Sequence, residues 1–516
     1  MKRLKTLFSF AVLLVVIIAP ARSTENTLNI AISSTPTSLV PFYSTDANSQ
    51  NINRLTQCSL VDMNAEMKHE CRACESFSER FAANKHVLTF KLKNNLTFSD
   101  GTKVVADDVV RSWLLFAKDK TINSTFMGSF ESIENVRALD DGSVEFTFSS
   151  FSLENLSNLA MLKIVKLKNG IKKDLDISEV LGCGAYNVNK VAPLEIELIP
   201  RDLNKAKLIF KVVKDETTLA LKLLNQEIDM SVANMSPRKI NWLLKNSKNL
   251  KVFKRASSNY LFMGMNQSKE VFNSLEFRKA ISLLIPRENL LKYKLKDFAV
   301  LSRGMFSEAF VDMFENTPID QYNPKEAEAI FLKLGYVKNK KGMLEKQGKE
   351  LSLEWIVSNN KSSIEMAETI KNEFSLAGIK IELNIMEWSS FMNSFKTGRF
   401  DLVVSQWIGF SGPDMLKFVF YSKNIPPIGG NRIHYSNPEF DKLIDAASVE
   451  RNQSKRTLLY KNAHRVVMSD RPYANLWHPH IVWIANRCVD NIKLDPIGGF
   501  DTLLDVVKKN GDNCGK

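Results

Sequence analysis

Alternation of apolar and polar positions predicts strands in several parts of this chain. It is clear at residues 88–92, where leucine and phenylalanine alternate with polar residues, and Asp100 and Gly101 then supply a turn. From Ala106 the apolar residues recur at helical spacing, and two aspartates place negative charge in the first turn. The segment therefore predicts a strand, a turn and a helix in succession.

The same patterns predict an α/β fold elsewhere in the chain. Residues 208–253 and 351–406 each alternate apolar strand runs with helical stretches. Strands are predicted at residues 28–33, 208–213, 228–233, 351–357, 379–385 and 400–405, and a helix is predicted at residues 364–377. Two α/β units imply two sheets with separate cores, and a ligand then favours the crevice at the strand ends between them.

The first 23 residues predict an export signal. Lys2, Arg3 and Lys5 precede an apolar run at residues 7–18, which small residues suited to a signal peptidase follow. The run is too short for a confident membrane span, and no later segment reaches about 18 continuous apolar residues. No cysteine lies near the end of the run, so a lipid anchor is not indicated. We expect a protein that is secreted into the periplasm.

Charge and length restrict the classes of function. The chain has 516 residues and a formal net charge of +13, of which the first 23 residues carry +4. The remaining excess is mostly scattered lysine without a stripe of basic and aromatic residues, so it favours a solvated surface and no nucleic-acid partner. The length suggests about three domain-sized units.

Motifs that would indicate an enzyme do not appear in the sequence. It contains no GxSxG, HExxH or Walker loop, and no Cys-His or Ser-His pair has a recognisable context. The paired acids Asp140 and Asp141 fall in a predicted turn, which is an ordinary use of aspartate. We therefore predict a protein that is not an enzyme and has no cofactor.

A set of further motifs runs through the chain in a fixed order. They are residues 88–113 (LTFKLKNNLTFSDGTKVVADDVVRSW), 180–187 with GCGAY, 262–287, 322–336, 401–435 and 459–478 with WH at its end. Together they closely resemble the signatures of the extracellular solute-binding proteins of family 5, the oligopeptide and dipeptide receptors of ABC importers. Cys183 stands where the family usually has threonine.

The resemblance implies a periplasmic binding protein-like α/β fold (type II, cluster C) with two hinged lobes and an extra domain. The implied divisions are residues 1–23 for the signal peptide, 24–57, 178–262 and 475–516 for a discontinuous lobe I, 58–177 for the extra domain II, and 263–474 for lobe III. The extra domain contains the most recognisable motif, so we expect that motif to be structural and far from the ligand.

The resemblance also implies a function. The expected protein captures peptides or peptide-like solutes in the cleft between the lobes and delivers them to the permease subunits of an ABC importer in the inner membrane. We expect a monomer. An oligosaccharide or opine-like ligand for the same machinery is the alternative, and a secreted redox or chaperone-like protein is a less favoured hypothesis.

All six cysteines follow the export signal, and an even number in an oxidising compartment predicts disulfides. Cys488 with Cys514 is the first expected pair, and Cys58 with Cys71 or Cys74 is the second, although connectivity does not follow from sequence. Cys71 and Cys74 also have the CxxC spacing of redox and zinc sites. Neither a helix start after a strand nor a second ligand pair is evident there.

Two tryptophans are candidates for the wall of the cleft. Trp407 ends an apolar strand and precedes a glycine-containing loop in which the backbone can approach a ligand. A core residue that caps the sheet is an equally good interpretation, because tryptophan is often largely buried. Trp388 lies in a segment that leads from a strand into a helix near the cleft in dipeptide-binding relatives, and here too both interpretations are comparable.

The chain departs from the family in the loop after Trp407. Typical peptide-binding members have an aspartate three residues after this tryptophan, and its carboxylate pairs with the peptide's ammonium group. Phe410 occupies that position here. Because an unpaired ammonium group is costly to bury, either Asp414 supplies the carboxylate or the ligand has no free amino terminus.

Five further residues complete the predicted ligand-binding set. Ser34 and Thr35 follow the first strand, Asn359 ends the strand that begins near residue 351, and Arg432 and Tyr435 flank the segment NRIHY. Arginine can hold a carboxylate bidentately. Ordinary turn roles and a surface ion pair explain these residues equally well.

The segment WHPH at residues 477–480 has a spacing that could chelate a metal. The same spacing more often reflects a strand with one face exposed, so we assign no metal site. The resemblance to a family that includes nickel-binding members keeps a metal site at these histidines open as an alternative.

Overall fold

The structure is a computed structural model that describes residues 26–82, 84–426 and 429–509. The predicted export signal and Cys514 lie outside these residues. The helices are α1 Ala47–Thr56, α2 Ala106–Ala117, α3 Glu154–Leu159, α4 Glu216–Leu224, α5 Pro237–Asn246, α6 Leu275–Leu283, α7 Arg287–Asn289, α8 Pro324–Lys333, α9 Lys361–Leu376, α10 Trp388–Lys396, α11 Met415–Phe420, α12 Pro438–Val449 and α13 Gln453–Asp470. None of the helices in the described ranges combines the length and apolarity that a membrane crossing needs.

The strands alternate with these helices along the chain. They are β1 Thr27–Ile32, β2 Cys58–Ser59, β3 Val61–Met63, β4 His69–Cys71, β5 Cys74–Ala82, β6 Lys85–Leu92, β7 Ile133–Ala138, β8 Ser143–Phe148, β9 Lys163–Ile164, β10 Lys166–Leu167, β11 Val180–Leu181, β12 Tyr186–Ala192, β13 Glu195–Pro200, β14 Lys207–Val212, β15 Met230–Ser231, β16 Leu250–Ala256, β17 Tyr260–Met265, β18 Ala299–Leu301, β19 Val337–Lys338, β20 Leu344–Lys346, β21 Lys349–Glu350, β22 Ser352–Ser358, β23 Lys380–Met386, β24 Leu402–Trp407, β25 Tyr473–Asn486, β26 Val489–Asp490 and β27 Val507–Lys508. The predicted α/β class is confirmed.

Local patterns predicted these elements well. The strand, turn and helix expected from residues 88–113 are β6, a turn in which Gly101 has a φ of +84°, and α2, which begins at Ala106 as predicted. The strands expected at 28–33, 208–213, 351–357, 379–385 and 400–405 are β1, β14, β22, β23 and β24, shifted by at most two residues. The helix expected at 364–377 is α9.

A large sheet of 12 strands forms the frame of the molecule, with the order β12-β13-β14-β1-β15-β25-β17-β24-β22-β23 and with β16 and β18 on β25. The 14-residue strand β25 joins its two halves. Its carboxyl part pairs with β15 and β16, and its amino part pairs with β17 and β18. Each half buries apolar side chains on both faces, so each has its own core.

A separate antiparallel sheet, β5-β6-β8-β7, packs against α2 around residues that include Phe90, Phe116 and Phe146. It lies within the predicted extra domain. The exact bounds of the predicted lobes and of this domain stay a prediction.

The disulfide pairing differs from the expected one. Cys58 bonds to Cys183 and Cys71 bonds to Cys74, so the predicted pairing of Cys58 with Cys71 or Cys74 is wrong. Cys488 is disulfide-bonded, and because Cys514, its expected partner, lies outside the described residues, that pair stays a prediction.

The glycines that flank Cys183 explain its pairing. A Cβ on Gly182 would lie 2.2 Å from the Thr56 carbonyl oxygen, and one on Gly184 would lie 2.3 Å from the Leu55 carbonyl oxygen. Only glycine permits so close a backbone approach. The segment therefore lies directly against the end of α1, where the chain continues into Cys58.

Candidate functional site

The chain crosses between the two halves of the large sheet in β25 and in the segment that joins β16 to β17. In this segment the Ser257 N–H donates to the Pro479 carbonyl at 2.9 Å, and His478 Nδ1 donates to the Asn259 carbonyl at 2.8 Å. The Asn259 side-chain oxygen accepts from the Gly409 N–H at 3.0 Å. The crossing is therefore connected directly to the loop that follows β24.

The carboxyl ends of the parallel strands β22, β23 and β24 lie at one edge of their sheet. Asn359 and Trp388, two of the predicted ligand-binding residues, lie at this edge and are exposed, Trp388 to 60%. Ile408, the residue after β24, is exposed to 65%. This edge presents an open apolar surface where α/β folds commonly bind ligands.

Trp407 itself lies in the core. It is 7% exposed and packs with Phe262, Phe395 and Phe418, with ring centroids at 6.2, 6.4 and 5.8 Å. The Arg432 guanidinium lies over the same indole, 4.8 Å from its centroid, and 4.2 Å from the centroid of Phe395. The geometry favours the core interpretation of this tryptophan.

Arg432 and Tyr435 also pack within the half of the large sheet that contains Trp407. The Arg432 guanidinium lies over the rings of Phe395 and Trp407, and burial lowers its pKa. Within the described ranges no carboxylate lies at ion-pair distance from it, so the expected surface salt bridge is not formed. Tyr435 is buried and donates to Asp470 Oδ2 at 2.7 Å.

Phe410 fills apolar space where the family has its amine-binding aspartate. Its ring stacks on Phe310 at 5.2 Å and meets the edge of Phe306 at 6.0 Å. Gly409 adopts a φ of +63°, a conformation that glycine reaches without strain. The chain turns there, so that Ile408 faces outward and Phe410 inward.

Ser34 and Thr35 lie on the exposed loop after β1 and make hydrogen bonds to α1 and to the turn between β12 and β13. The Asn48 side chain donates to the Ser34 carbonyl at 2.9 Å, and the Thr35 hydroxyl donates to the Pro193 carbonyl at 3.2 Å. Neither residue lines the large cavity described next.

A cavity of about 400 Å³ lies between the extra-domain sheet and the second half of the large sheet. One side consists of the turn at residues 66–69, parts of β5 and β6, the loop at 151–153 and the first turn of α3. The other side consists of residues 310–313, residues 411–414 and the first turns of α13. Its size falls within the range of small-molecule sites, roughly 300 to 1,000 Å³.

Asp414 is the predicted site residue that lines this cavity. Burial raises the pKa of its carboxyl to about 6, and the nearby Glu154 carboxylate adds to the effect. Among the described residues no lysine, arginine or histidine lies at ion-pair distance from it. A Cβ on Gly412 would lie 2.5 Å from Asp414 Oδ1, so the glycine leaves room for the carboxylate to fold back along the loop.

Helix α13 contributes Arg456 and Tyr460 to the same cavity. The Arg456 guanidinium lies 4.9 Å from the centroid of Phe151, and its Nη1 donates to the Glu450 carbonyl at 2.9 Å. Burial is the main cause that lowers the pKa of Arg456 and raises that of Tyr460. Hydrogen bonds to backbone carbonyls therefore fix the Arg456 side chain at the cavity wall.

The hairpin of β3 and β4 covers one end of the cavity. Met67 at its tip is buried in the aromatic cluster that includes Phe310, and Lys68 Nζ lies 3.2 Å from Asp312 Oδ2. Arg255 donates to the Ala65 carbonyl at 2.7 Å. The hairpin thus bridges the extra domain, β16 and the segment 310–313.

Sequence reasoning did not identify the wall that the extra domain provides. Met67, His69, Glu79, His86 and Leu88 all line the cavity, although the recognisable motif around β6 was expected to lie far from any ligand. Alternation along β6 shows that it has two faces. This alternation does not predict which other element faces β6 across a cavity.

The histidines of WHPH do not converge on a common point. His478 bonds to the Asn259 carbonyl, and burial lowers the pKa of both His478 and His480 to about 4. Within the described ranges there is no group of three or more His, Cys, Asp or Glu side chains placed to hold a metal ion.

Known proteins resemble this chain over most of its length. A model of the family described as bacterial extracellular solute-binding proteins, family 5 middle, matches residues 78–425. The oligopeptide-binding protein AppA of Bacillus subtilis is 23% identical over 474 residues, which are 86% of this chain and 84% of AppA. The probable D,D-dipeptide-binding periplasmic protein DdpA of Escherichia coli is 24% identical over 427 residues, which are 79% of each chain.

Solved structures give the same picture of the fold. NikZ from Campylobacter jejuni, in complex with Ni(L-His), superposes with a TM-score of 0.73 at 24% identity and covers 94% of this chain and 100% of its own. The predicted fold, a type II periplasmic binding protein, is thereby confirmed.

Proposed function

We propose, because the chain belongs to the bacterial extracellular solute-binding proteins of family 5, that it is the substrate-binding component of an ABC importer for short peptides or peptide-like solutes. The cavity beside Asp414 is the proposed ligand site. The observation that carries this assignment is a half-buried carboxylate that has no cationic partner at ion-pair distance among the described residues and that lines a cavity of ligand size.

Relatives and architecture support the proposal independently. AppA is named an oligopeptide-binding protein and DdpA a D,D-dipeptide-binding protein. The crossing of the chain at Ser257 and in β25 resembles a hinge between two halves, and hinge closure is how such receptors enclose a ligand. The proposed ligand then passes to permease subunits in the inner membrane.

The cavity favours a short ligand. A volume of about 400 Å³ lies near the lower end of the range for small-molecule sites, and the hairpin that carries Met67 closes one end. The redox hypothesis gains no support from Cys71 and Cys74, because they bond across the turn between β4 and β5 and not at the start of a helix, where reactive cysteines commonly lie.

We further propose that residues 1–23 direct export to the periplasm and that the protein is a monomer. DdpA is named a periplasmic protein. The division into lobe I, the extra domain at 58–177 and lobe III stays part of the proposal, and the two cores of the large sheet and the separate core of the β5-β6-β8-β7 sheet support it.

Calorimetry with a matched pair of variants tests the site. Thr457 lines the cavity, whereas Leu458, the next residue of α13, is exposed and does not. We expect Thr457→Trp to weaken the binding of the dipeptide Ala-Phe by at least tenfold by filling the cavity, and Leu458→Trp to leave it unchanged. If both variants bind Ala-Phe equally well, the ligand binds elsewhere. If the wild-type protein binds none of Ala-Phe, trialanine and pentaalanine, the proposal of a peptide receptor is contradicted.

A further inference from the structure

The turn between β3 and β4 has a backbone conformation that is unusual for its sequence. The Met67 N–H donates to the Asn64 carbonyl at 3.0 Å, and the Asn64 N–H donates to the Lys68 carbonyl at 2.8 Å. Met67, the last residue of this turn, has a φ of +56°, in the left-handed region. Hairpins with a loop of this length ordinarily have glycine there, because a side chain makes the conformation strained. The turn alone therefore gives no reason for a methionine.

The surroundings of the Met67 side chain supply that reason. It is 8% exposed and belongs to the buried cluster that contains Phe306, Phe310 and Phe410 in the second half of the large sheet. Met63, at the base of the hairpin, is 7% exposed and belongs to the same cluster. Two methionines from the predicted extra domain are thus buried in the core of another part of the molecule.

The three phenylalanines form a surface that suits a methionine. The Phe410 ring stacks on Phe310 with the centroids 5.2 Å apart and the planes 11° apart. The Phe306 ring meets both of them edge-on, at 6.0 and 5.3 Å. Methionine adapts its flexible side chain to such a surface, and its sulfur interacts favourably with aromatic rings. We call these three rings the Phe310 cluster.

The hairpin is fixed to one half of the large sheet and buried in the other. Arg255, on β16 in the first half, donates to the Ala65 carbonyl at 2.7 Å and to the Leu494 carbonyl at 2.8 Å. On the other side, Lys68 Nζ lies 3.2 Å from Asp312 Oδ2, and both side chains are half exposed. An exposed ion pair contributes little to stability, so burial of the methionines carries the contact. The hairpin therefore spans the crevice between the halves.

We propose that this hairpin is an intramolecular latch, which holds the two halves closed before a solute binds. Because the hairpin is tied to β16 and the Phe310 cluster belongs to the second half, the halves separate only when Met67 leaves the cluster. Such a latch weakens the apparent affinity for any solute in proportion to the fraction of molecules that are open. The inference goes beyond the proposed function, since it concerns contacts of the chain with itself and holds for any solute.

Small-angle scattering of the full chain without added solute tests the latch. Met67→Gly removes the buried side chain and suits the positive φ, and it should shift the ratio of closed to open molecules about tenfold or more toward the open form. Its radius of gyration should therefore exceed that of the wild-type protein. Met67→Leu keeps an apolar side chain of similar volume and should keep the wild-type radius.

Gln347→Gly is the matched control. Gln347 has a φ of +54° in the turn between β20 and β21 and is exposed, so this change relieves the same backbone conformation without touching the Phe310 cluster. Its radius should equal that of the wild-type protein, and a rise equal to that of Met67→Gly would overturn the proposal. If Met67→Gly does not fold, Phe410→Ala opens the cluster from the other side and should give the same increase in radius.

Ordinary core packing by Met67 has a different signature. In that case Met67→Gly would lower the melting temperature and leave the radius of gyration unchanged, and the latch would be disproved. Failure of every tested peptide to bind would contradict the proposed function but would not alter the scattering result. The two proposals are therefore tested separately.

Discussion

Asp414 is the single residue on which the proposed site depends most. Its carboxyl has a pKa of about 6 in the folded protein, against an ordinary value of 3.8. Between about pH 4 and pH 6 the Asp414 carboxyl therefore binds a proton more tightly in the folded state than in the unfolded state. Stability from this group is fully present below pH 4 and is lost as the pH rises through 6.

We expect Asp414→Asn to be more stable than the wild-type protein at pH 7, by about 1 to 3 kcal/mol, and to show no such gain at pH 4. Urea denaturation at several pH values measures this. Asp141→Asn is a control of opposite sign, because the Ser143 N–H lowers the pKa of Asp141 and its removal should cost stability at pH 7. A constant difference between Asp414→Asn and wild type across the pH range would contradict the account.

Trp407 has a structural role in this account. Because it is buried against Phe262 and Arg432, Trp407→Ala should lower the free energy of unfolding by about 3 to 5 kcal/mol. Trp388→Ala removes an exposed side chain and should change it by less than about 0.5 kcal/mol. Denaturation curves of the two variants and of the wild-type protein measure both changes in the free energy of unfolding. A weakened affinity with normal stability in Trp407→Ala would restore the cleft-wall interpretation.

The sequence predicts a strand near residues 400–405 that leads to Trp407, but it does not predict which way the Trp407 side chain points. Successive residues of a strand face opposite sides, so Trp407 faces the core and Ile408 the open edge. A shift of one residue in the end of the strand exchanges these roles. This is why the tryptophan could be singled out from the sequence and its place could not.

At the level of elements, short-range patterns were sufficient to predict helices and strands. They did not predict contacts between segments that are far apart in the sequence. The helix α2 and the strands of both halves follow from spacing alone. The hairpin of β3 and β4 places Met67 against Phe310, more than 240 residues away. Such a contact depends on how whole domains pack, and no local pattern specifies it. The wall of the cavity contributed by this hairpin was therefore missed.

The two described disulfides should differ in their effect on stability. Cys58 and Cys183 are separated by 125 residues, and Cys71 and Cys74 by 3. In the chain-entropy model a longer closed loop restricts the unfolded chain more, so replacing both Cys58 and Cys183 by serine should cost about 4 to 5 kcal/mol, and replacing the CxxC pair about 2 kcal/mol. Guanidinium unfolding under oxidising conditions compares them. A larger cost for the CxxC pair would show that this model does not apply.

At the scale of the whole molecule, the account has two candidate surfaces for a ligand. One is the open edge, where Asn359 and Trp388 were predicted from the sequence and where Ile408 is also exposed. The other is the cavity, in which Asp414 was predicted from the sequence and in which the folded chain adds Arg456 and Tyr460. The α/β class and the family can be predicted from the sequence, because they depend on motifs that occur in a fixed order along the chain. The cavity depends on the packing of an extra domain against the segments at 310–313 and 411–414.

A crystal structure of the protein with bound Ala-Phe separates these surfaces most directly. The account predicts electron density for the dipeptide within the cavity that Asp414 lines. Density at the open edge beside Trp388 and Ile408, with the cavity filled only by water, would contradict the central claim.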